Sequence, residues 1–130
     1  MGCDIHGFVE AKIGDKWVAI TELYSNGRNY ERFAALAGVR GEGPEPKGIP
    51  NDISDTVKYW IDAWGCDGHS HTWFPIKEAA KIFLNTKENS PTEQEIAHPI
   101  ETIFNVDVAA LKHNFGVSKK NIRLIIWFDN

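Results

Sequence analysis

The chain has 130 residues, 42% of them hydrophobic and 25% charged, and its formal net charge is −4 at pH 7. This length fits one domain, residues 1–130, and the composition excludes a disordered chain. The net negative charge argues against a general nucleic-acid binder and against a protein that binds anionic membranes, because both usually present a net basic face. No apolar run approaches the ~20 residues that a membrane span needs.

The opening residues predict a β-hairpin, because two β-prone stretches, "IHGFVEAKI" and "KWVAITEL", flank Gly14 and Asp15. Alternation along the first strand puts Asp4 and His6 on one face. The next stretch, "NYERFAALAG", has apolar residues at helical spacing and predicts a helix that stops at its last glycine. Residues 38–52 are so rich in glycine and proline that we expect a loop, and loops of this length are usually functional or mobile.

The middle and the end of the chain predict further helices and two strands. Ser54 caps "DTVKYWIDAWG", whose Trp60 and Trp64 are expected in the core, and "HSHTWF" predicts a short strand before a helix that Pro75 opens. "SPTE" at 90–93 predicts a short helix, and so does "VDVAALKHNFG". The terminal "NIRLIIWFDN" is nearly all apolar and predicts a central strand that is covered on both faces.

The predicted fold class is therefore α+β, with several helices packed on a small, mostly antiparallel sheet. The sheet would comprise the N-terminal hairpin, the short "HSHTWF" strand and the C-terminal central strand. The domain would carry one Gly/Pro-rich loop at residues 38–52.

The candidate site lies in two stretches, "MGCDIHG" and "GCDGHSHTW". If the second stretch is extended, Asp67, His69 and His71 project from one face of a strand, as Asp4 and His6 do from theirs. Imidazole and carboxylate ligands suit Zn²⁺ or Mn²⁺, and metal-dependent phosphoesterases use such ligands. The sequence therefore predicts that these five side chains hold one or two divalent metal ions, Zn or Mn. His71 and Asp67 are also the candidate catalytic residues.

The same residues allow two alternative roles. In the first, the side chains cap turns and hydrogen-bond the nearby loops, with a turn at Asp67-Gly68. In the second, Cys3 with His6 and Cys66 with His69 form a thiolate site for a structural Zn²⁺. Residues three apart on a strand face opposite ways, which counts against the thiolate site unless a turn intervenes.

Three basic residues, Arg28, Arg40 and Lys47, are candidates for binding substrate. They lie in or beside glycine-rich stretches, where a flexible backbone can approach a phosphate and cations can clamp it. The alternative for each of them is a solvated charge on a loop.

Five motifs, taken in order along the chain, resemble a family of small proteins carried by phages and prophages. The motifs are "MGCDIH", "GRNYERFAALAGVR", "GIPNDIS", "GCDGHSHTW" and "IRLIIWFDN". The resemblance covers nearly the whole chain and is weakest over residues 85–120. It implies a single domain in a phage-linked setting in the host cytoplasm, and it carries no catalytic role to any residue. The two cysteines and the lack of a signal-peptide pattern agree with a cytoplasmic location.

The leading hypothesis from the sequence is a metal-dependent hydrolase that acts on a phosphoester, either a nucleotide or a cyclic nucleotide. The alternative is a non-catalytic protein that sequesters a nucleotide-like ligand or blocks a host protein. A third possibility is a structural or interaction role with a stabilising Zn²⁺. The expected partners are thus a small phosphorylated ligand or a host protein, and neither a membrane nor nucleic acid in general.

Overall fold

The computed structural model describes residues 2–23, 28–86 and 103–129. In these ranges four antiparallel strands form one sheet in the order β2-β1-β4-β3. The strands are β1 (Asp4–Ile13), β2 (Lys16–Glu22), β3 (Gly68–Pro75) and β4 (Ile122–Asp129). The helices are α1 (Tyr30–Ala37), α2 (Asp55–Trp64), α3 (Ile76–Asn85) and α4 (Val108–Phe115). The predicted α+β class is confirmed, whereas the helix predicted after "SPTE" lies outside the described residues.

Strand β4 is the centre of the sheet, since β1 pairs with it on one side and β3 on the other. Every residue of β4 before Asp129 is buried. A strand that is covered on both faces needs apolar side chains at consecutive positions, which explains the run "IIWF". This confirms the central strand that the sequence predicts.

Helices cover both faces of the sheet. On one face, the larger core cluster joins Phe33 of α1 and Phe83 of α3 to Leu124 of β4, and α4 belongs to the same cluster. On the other face, α2 packs Ile61 into a smaller cluster that contains Trp127 of β4. Apolar burial on both faces is the main stabilising term of this fold.

Helix α2 has a narrower buried stripe than its sequence pattern predicts. Ser54 caps the helix by accepting a hydrogen bond of 3.3 Å from the backbone N–H of Val57. Val57 is buried and Trp64 is half-buried, but Trp60 is 45% exposed. The ring of Trp60 instead meets the exposed ring of Tyr59 edge-on, with 5.4 Å between the centroids. The prediction of a core Trp60 is therefore wrong, because a lone helix lying on a sheet buries only the stripe that faces it.

The Gly/Pro-rich loop at 38–52 is packed along the outer edge of β3. The backbone N–H of Gly48 donates to the carbonyl of His71 over 2.8 Å, and that of Lys47 donates to the hydroxyl of Thr72 over 3.1 Å. The loop thus occupies hydrogen-bonding groups that an edge strand would otherwise present to another chain. The other edge strand, β2, carries a β-bulge opposite Val9 and Glu10 in β1, which is a second way to discourage edge pairing.

A buried ion network fastens the "GIPNDIS" turn to the sheet. Glu10 of β1 is fully buried and pairs in register with Arg123 of β4, whose Nε donates to Glu10 Oε1 over 2.8 Å. Arg123 Nη1 also donates to Asp52 Oδ1 over 3.0 Å, and its guanidinium carbon lies 3.8 Å from the Trp17 ring centroid. Glu10 Oε2 accepts a 2.7 Å hydrogen bond from the backbone N–H of Ser54. The network therefore fixes the point at which α2 begins.

Candidate functional site

The strand register brings the two predicted halves of the site to the same end of the sheet. Asp129, at the end of β4, pairs with Asp4 of β1 on one side and with Gly68 of β3 on the other. Because neighbouring strands lie about 4.8 Å apart, β1 and β3 are separated there by about 10 Å. We name this region the polar end, and it comprises Cys3, Asp4, His6, Arg28, Tyr30, Arg40 and Asp129.

Asp129 connects the charged groups of the polar end. Its Oδ1 accepts a 3.2 Å hydrogen bond from the backbone N–H of Asp4, and its Oδ2 lies 3.3 Å from His6 Nε2. The second contact lacks hydrogen-bond geometry, and His6 Nε2 is buried with no hydrogen-bond partner among the described residues. An imidazole nitrogen beside a carboxylate can carry a proton, and two donor atoms this close can share a cation.

The carboxylate of Asp4 is bound by Arg28. Arg28 Nε donates to Oδ1 over 2.9 Å, and Nη2 donates to Oδ2 over 3.4 Å. The hydrogen bond from Arg28 is the largest effect on the pKa of Asp4 and holds it below its usual value. Both side chains are about half exposed, so the pair is screened by water and adds little to stability. The ion pair instead fixes the position of the Arg28 guanidinium at the polar end.

Arg40 reaches the same region from the Gly/Pro-rich loop. Its guanidinium carbon lies 5.1 Å from the ring centroid of Tyr30, and the Tyr30 hydroxyl accepts a 3.3 Å hydrogen bond from the backbone N–H of Cys3. Arg40 has a φ of 60°, a left-handed backbone conformation that non-glycine residues rarely adopt and that is enriched at functional sites.

Burial raises the pKa of the Cys3 thiol, and four charged side chains also affect this pKa. The four are Arg40, Asp129, Asp4 and Arg28.

A β-bulge in β3 separates the two histidines of the "GHSH" stretch. His69 and Thr72 are three residues apart, yet they pair with β4 residues that are only two apart. The extra residue, Ser70, has a φ of 55°, and the bulge reverses the alternation of side chains. His69 and His71 therefore point to opposite faces of the sheet. The prediction that they share one face is wrong, because alternation along a sequence assumes an unbroken strand.

His71, Trp127 and His6 form a row of rings across three strands, on the face that α2 covers. The ring centroid of Trp127 lies 6.3 Å from that of His71 and 6.2 Å from that of His6. Trp64, the last residue of α2, covers His6 with 4.3 Å between the ring centroids. Each ring of the row has a buried nitrogen with no hydrogen-bond partner among the described residues, and these nitrogens are His6 Nε2, His71 Nε2 and Trp127 Nε1. Since one unpaired buried polar group costs about 1–3 kcal/mol, three in one place call for an explanation, and a functional role is one.

We expect His71 to make the stability of the fold depend on pH. Burial lowers the pKa of His71, and the neighbouring His69 lowers it further. The unfolded chain, with an ordinary histidine pKa of about 6.5, then binds more protons than the folded chain, so stability is lost as the pH falls below that value. We expect the Tm to fall between about pH 7.5 and pH 5.5, and the fall to be smaller in His71→Gln.

The control for this measurement is His113→Gln, which changes an exposed histidine on α4. It should leave the dependence of Tm on pH unchanged. A His71→Gln variant with the same dependence as the parent protein would show that His71 is not the titrating group.

Among the described residues, no group of three or more His, Cys, Asp or Glu side chains is placed to hold a metal ion. The predicted five-ligand metal centre is therefore not assembled. Asp67 lies exposed in the 3₁₀ turn Gly65–Asp67 and not on the strand, the bulge turns His69 away from His71, and the carboxylate of Asp4 is bound by Arg28.

The two cysteines of the thiolate alternative lie apart in the fold, and Lys47 lies away from the polar end. Cys3 is buried at the polar end, whereas Cys66 is exposed in the turn after α2, so the two do not form one site. Lys47 Nζ lies 4.8 Å and 4.4 Å from the ring centroids of Trp73 and Phe74, several residues along β3 from the polar end. Of the three predicted phosphate-binding residues, Arg28 and Arg40 both act electrostatically on Cys3 at the polar end, whereas Lys47 lies over Trp73 and Phe74.

Sequence reasoning expected Trp64 in the core and did not single out Trp127. Trp127 and Asp129 are two apart in the terminal strand, so alternation alone puts them on one face. The missing information was the strand order, which sets this face between His6 and His71. Trp64 belongs to the apolar stripe of α2, which the sequence pattern predicts. Its position above His6 depends on how α2 packs on the sheet.

A scan against models of protein families, a search of curated proteins and a search of solved structures each found no match. None of the helices in the described ranges has the length and apolar character needed to cross a bilayer.

Proposed function

We propose that this protein binds a small, nucleotide-like phosphorylated ligand at the polar end of its sheet. The observation that supports the proposal is that Arg28 and Arg40, which reach this region from different segments, both act electrostatically on Cys3. Asp4 holds Arg28, and Arg40 lies against Tyr30, whose hydroxyl meets the backbone of Cys3. Guanidinium groups match the geometry of phosphate oxygens and form strong, charge-assisted hydrogen bonds with them.

The row of rings beside the arginines supports the same proposal. The indole N–H of Trp127 can only donate a hydrogen bond, and an imidazole nitrogen can donate in the appropriate tautomer. Phosphate oxygens are acceptors, but these three nitrogens are buried in the structure, so a phosphate meets the exposed guanidinium groups of Arg28 and Arg40 first. Trp64 adds a half-buried aromatic surface beside His6, on which a nucleobase or a sugar can pack.

Calorimetric titration with a panel of nucleotides at low salt tests the proposal. We expect Arg28→Ala and Arg40→Ala each to weaken binding by about 10- to 100-fold, because a hydrogen bond to a charged group is worth about 1.5–3 kcal/mol. Lys47→Ala is the matched control, since Lys47 is a cation of the same loop as Arg40 that lies over Trp73 and Phe74. Equal losses in all three variants would mean that general charge and not the polar end attracts the ligand.

Hydrolysis of the bound phosphoester is the second candidate function. The observation in its favour is the 3.3 Å separation of His6 Nε2 and Asp129 Oδ2. This pair can transfer a proton, or it can supply two ligands to a divalent metal that takes its other ligands from water and phosphate oxygens. Heat denaturation after incubation separates the two functions. Nucleotide recovered unchanged supports binding alone, and nucleotide converted by the parent protein but not by His6→Gln supports hydrolysis.

A further inference from the structure

A cavity of about 370 Å³ lies between the Gly/Pro-rich loop and the β-bulge of β3. The end of α1 and residues 41–46 of the loop form most of its wall, and β3 contributes Ser70. The volume suits a small molecule. Among the described residues that line the cavity, Ser70 alone carries a hydroxyl or a thiol.

Ser70 is held in a strained backbone conformation. Its φ of 55° lies in the left-handed region, which serine rarely adopts. The loop fixes the strand directly after it, since the N–H of Gly48 donates to the carbonyl of His71 over 2.8 Å and that of Lys47 donates to the hydroxyl of Thr72 over 3.1 Å. In a large class of hydrolases the serine nucleophile occupies a strained turn, because the turn exposes its hydroxyl.

His69 is placed to act as the base for this hydroxyl. Its Nδ1 lies 2.9 Å from Ser70 Oγ, a distance at which a nucleophile and its general base interact. Nδ1 accepts the hydrogen bond in the tautomer that carries the ring proton on Nε2. The imidazole lies along the ring of the buried Phe128, with 6.3 Å between the centroids and 29° between the planes, so packing restrains its orientation.

The charge of the cavity wall favours a substrate without negative charge. Glu42 and Glu45 line the cavity, and none of the described lining residues is a cation. The two cations of the loop, Arg40 and Lys47, lie over aromatic rings instead. A substrate that carries a carboxylate or a phosphate would therefore be repelled, whereas an uncharged ester would not.

We propose that Ser70 and His69 form a second site, which hydrolyses uncharged carboxylic esters and goes beyond the binding of a phosphorylated ligand at the polar end. Ser70 Oγ forms a bond to the carbonyl carbon of the ester and gives its proton to His69 Nδ1. The bond from that carbon to the alcohol oxygen breaks, and His69 passes the proton to the departing oxygen. Water then attacks the acyl-serine, and His69 transfers a proton from this water to Ser70 Oγ as the acid leaves.

The loop backbone faces the charge that this reaction generates. Negative charge develops on the carbonyl oxygen of the ester, and backbone N–H groups are common donors to such an oxygen. Gly41 and Gly43 line the cavity, and a substrate can come close to the backbone at a glycine because no side chain intervenes.

Covalent labelling tests the nucleophile. An uncharged alkyl fluorophosphonate forms an O–P bond with an activated serine, while fluoride leaves and the proton goes to the base. We expect one equivalent of label in the intact mass, located in the tryptic peptide 59–77, whose only serine is Ser70. His69→Gln should be labelled about 100-fold more slowly, because a general base typically contributes 10²- to 10⁴-fold. The control His113→Gln changes an exposed histidine on α4 and should be labelled at the parental rate.

The Ser70→Gly variant separates this role from a structural one. Glycine adopts a φ of 55° without strain, so the variant should take up no label while its Tm rises by a few degrees. A fall in Tm would mean that the hydroxyl serves to hold the bulge, and it would overturn the argument from strain.

Two esters test the substrate class. The parent protein should hydrolyse p-nitrophenyl acetate about 3- to 10-fold faster than the anionic mono-p-nitrophenyl succinate, after subtraction of the rates of Ser70→Gly. Faster hydrolysis of the succinate would overturn the preference for an uncharged substrate. Absence of label from Ser70, or equal labelling of the parent protein and His69→Gln, would overturn the site itself. None of these results bears on the binding of nucleotides, which the arginine variants of the polar end test separately.

Discussion

Replacing Arg123 with Met will lower the free energy of unfolding by about 3–5 kcal/mol, because the change leaves the fully buried carboxylate of Glu10 without its partner. The methionine fills the space of the aliphatic part of the arginine, so the loss is electrostatic more than steric. Asp52 also loses a partner, although it is more exposed and can be solvated by water. Urea unfolding at pH 7 measures the change.

Two further variants make this prediction specific. The double variant Glu10→Gln with Arg123→Met should lose less than the sum of the two single changes, since the groups interact directly. Lys58→Met is the control, because it breaks an ion pair with Asp62 of similar length, 2.7 Å, in which both side chains are more than half exposed. That change should hardly alter stability. A loss from Lys58→Met as large as that from Arg123→Met would contradict the importance of burial.

Replacing Gly43 with Ala should have the second largest effect, a loss of about 2–3 kcal/mol. A Cβ at this position would overlap the backbone carbonyl oxygen of Ala34, in the last turns of α1. The oxygen belongs to a helix and cannot move away like a flexible side chain, so the loop must shift instead. Thermal unfolding followed by circular dichroism measures the effect.

Gly48→Ala in the same loop is the matched control for this steric argument. Gly48 has a φ of 85°, and a Cβ there meets no other atom within 4 Å. Its substitution should cost only the conformational penalty of about 1 kcal/mol. If Gly43→Ala proves no more destabilising than Gly48→Ala, the loop does not pack closely against α1.

The fold could be predicted from the sequence where the signals are local. The hairpin around Gly14 and Asp15, the Ser54 cap of α2 and the apolar run of β4 all depend on neighbouring residues. Backbone conformation and side-chain period over a few residues decide such elements. The same reasoning correctly put Asp4 and His6 on one face of β1, because that strand is regular where they lie.

The candidate site depended on contacts between residues that are far apart in the chain. Asp129 meets Asp4 across 125 positions, and only the strand order puts β4 between the two histidine-bearing strands. The bulge at Ser70 determines which histidine faces Trp127. An alternating sequence pattern does not show where a single residue is inserted into a strand.

The sequence by itself thus determined which elements form and which polar residues are available for chemistry. The tertiary structure alone decided that Arg28 and Arg40 both act on Cys3 at the polar end while Lys47 lies over Trp73 and Phe74. It also decided that the predicted metal ligands among the described residues do not gather around one point. The physical reason is that side-chain alternation sets direction within one strand, whereas register, bulges and helix docking set the distances between strands.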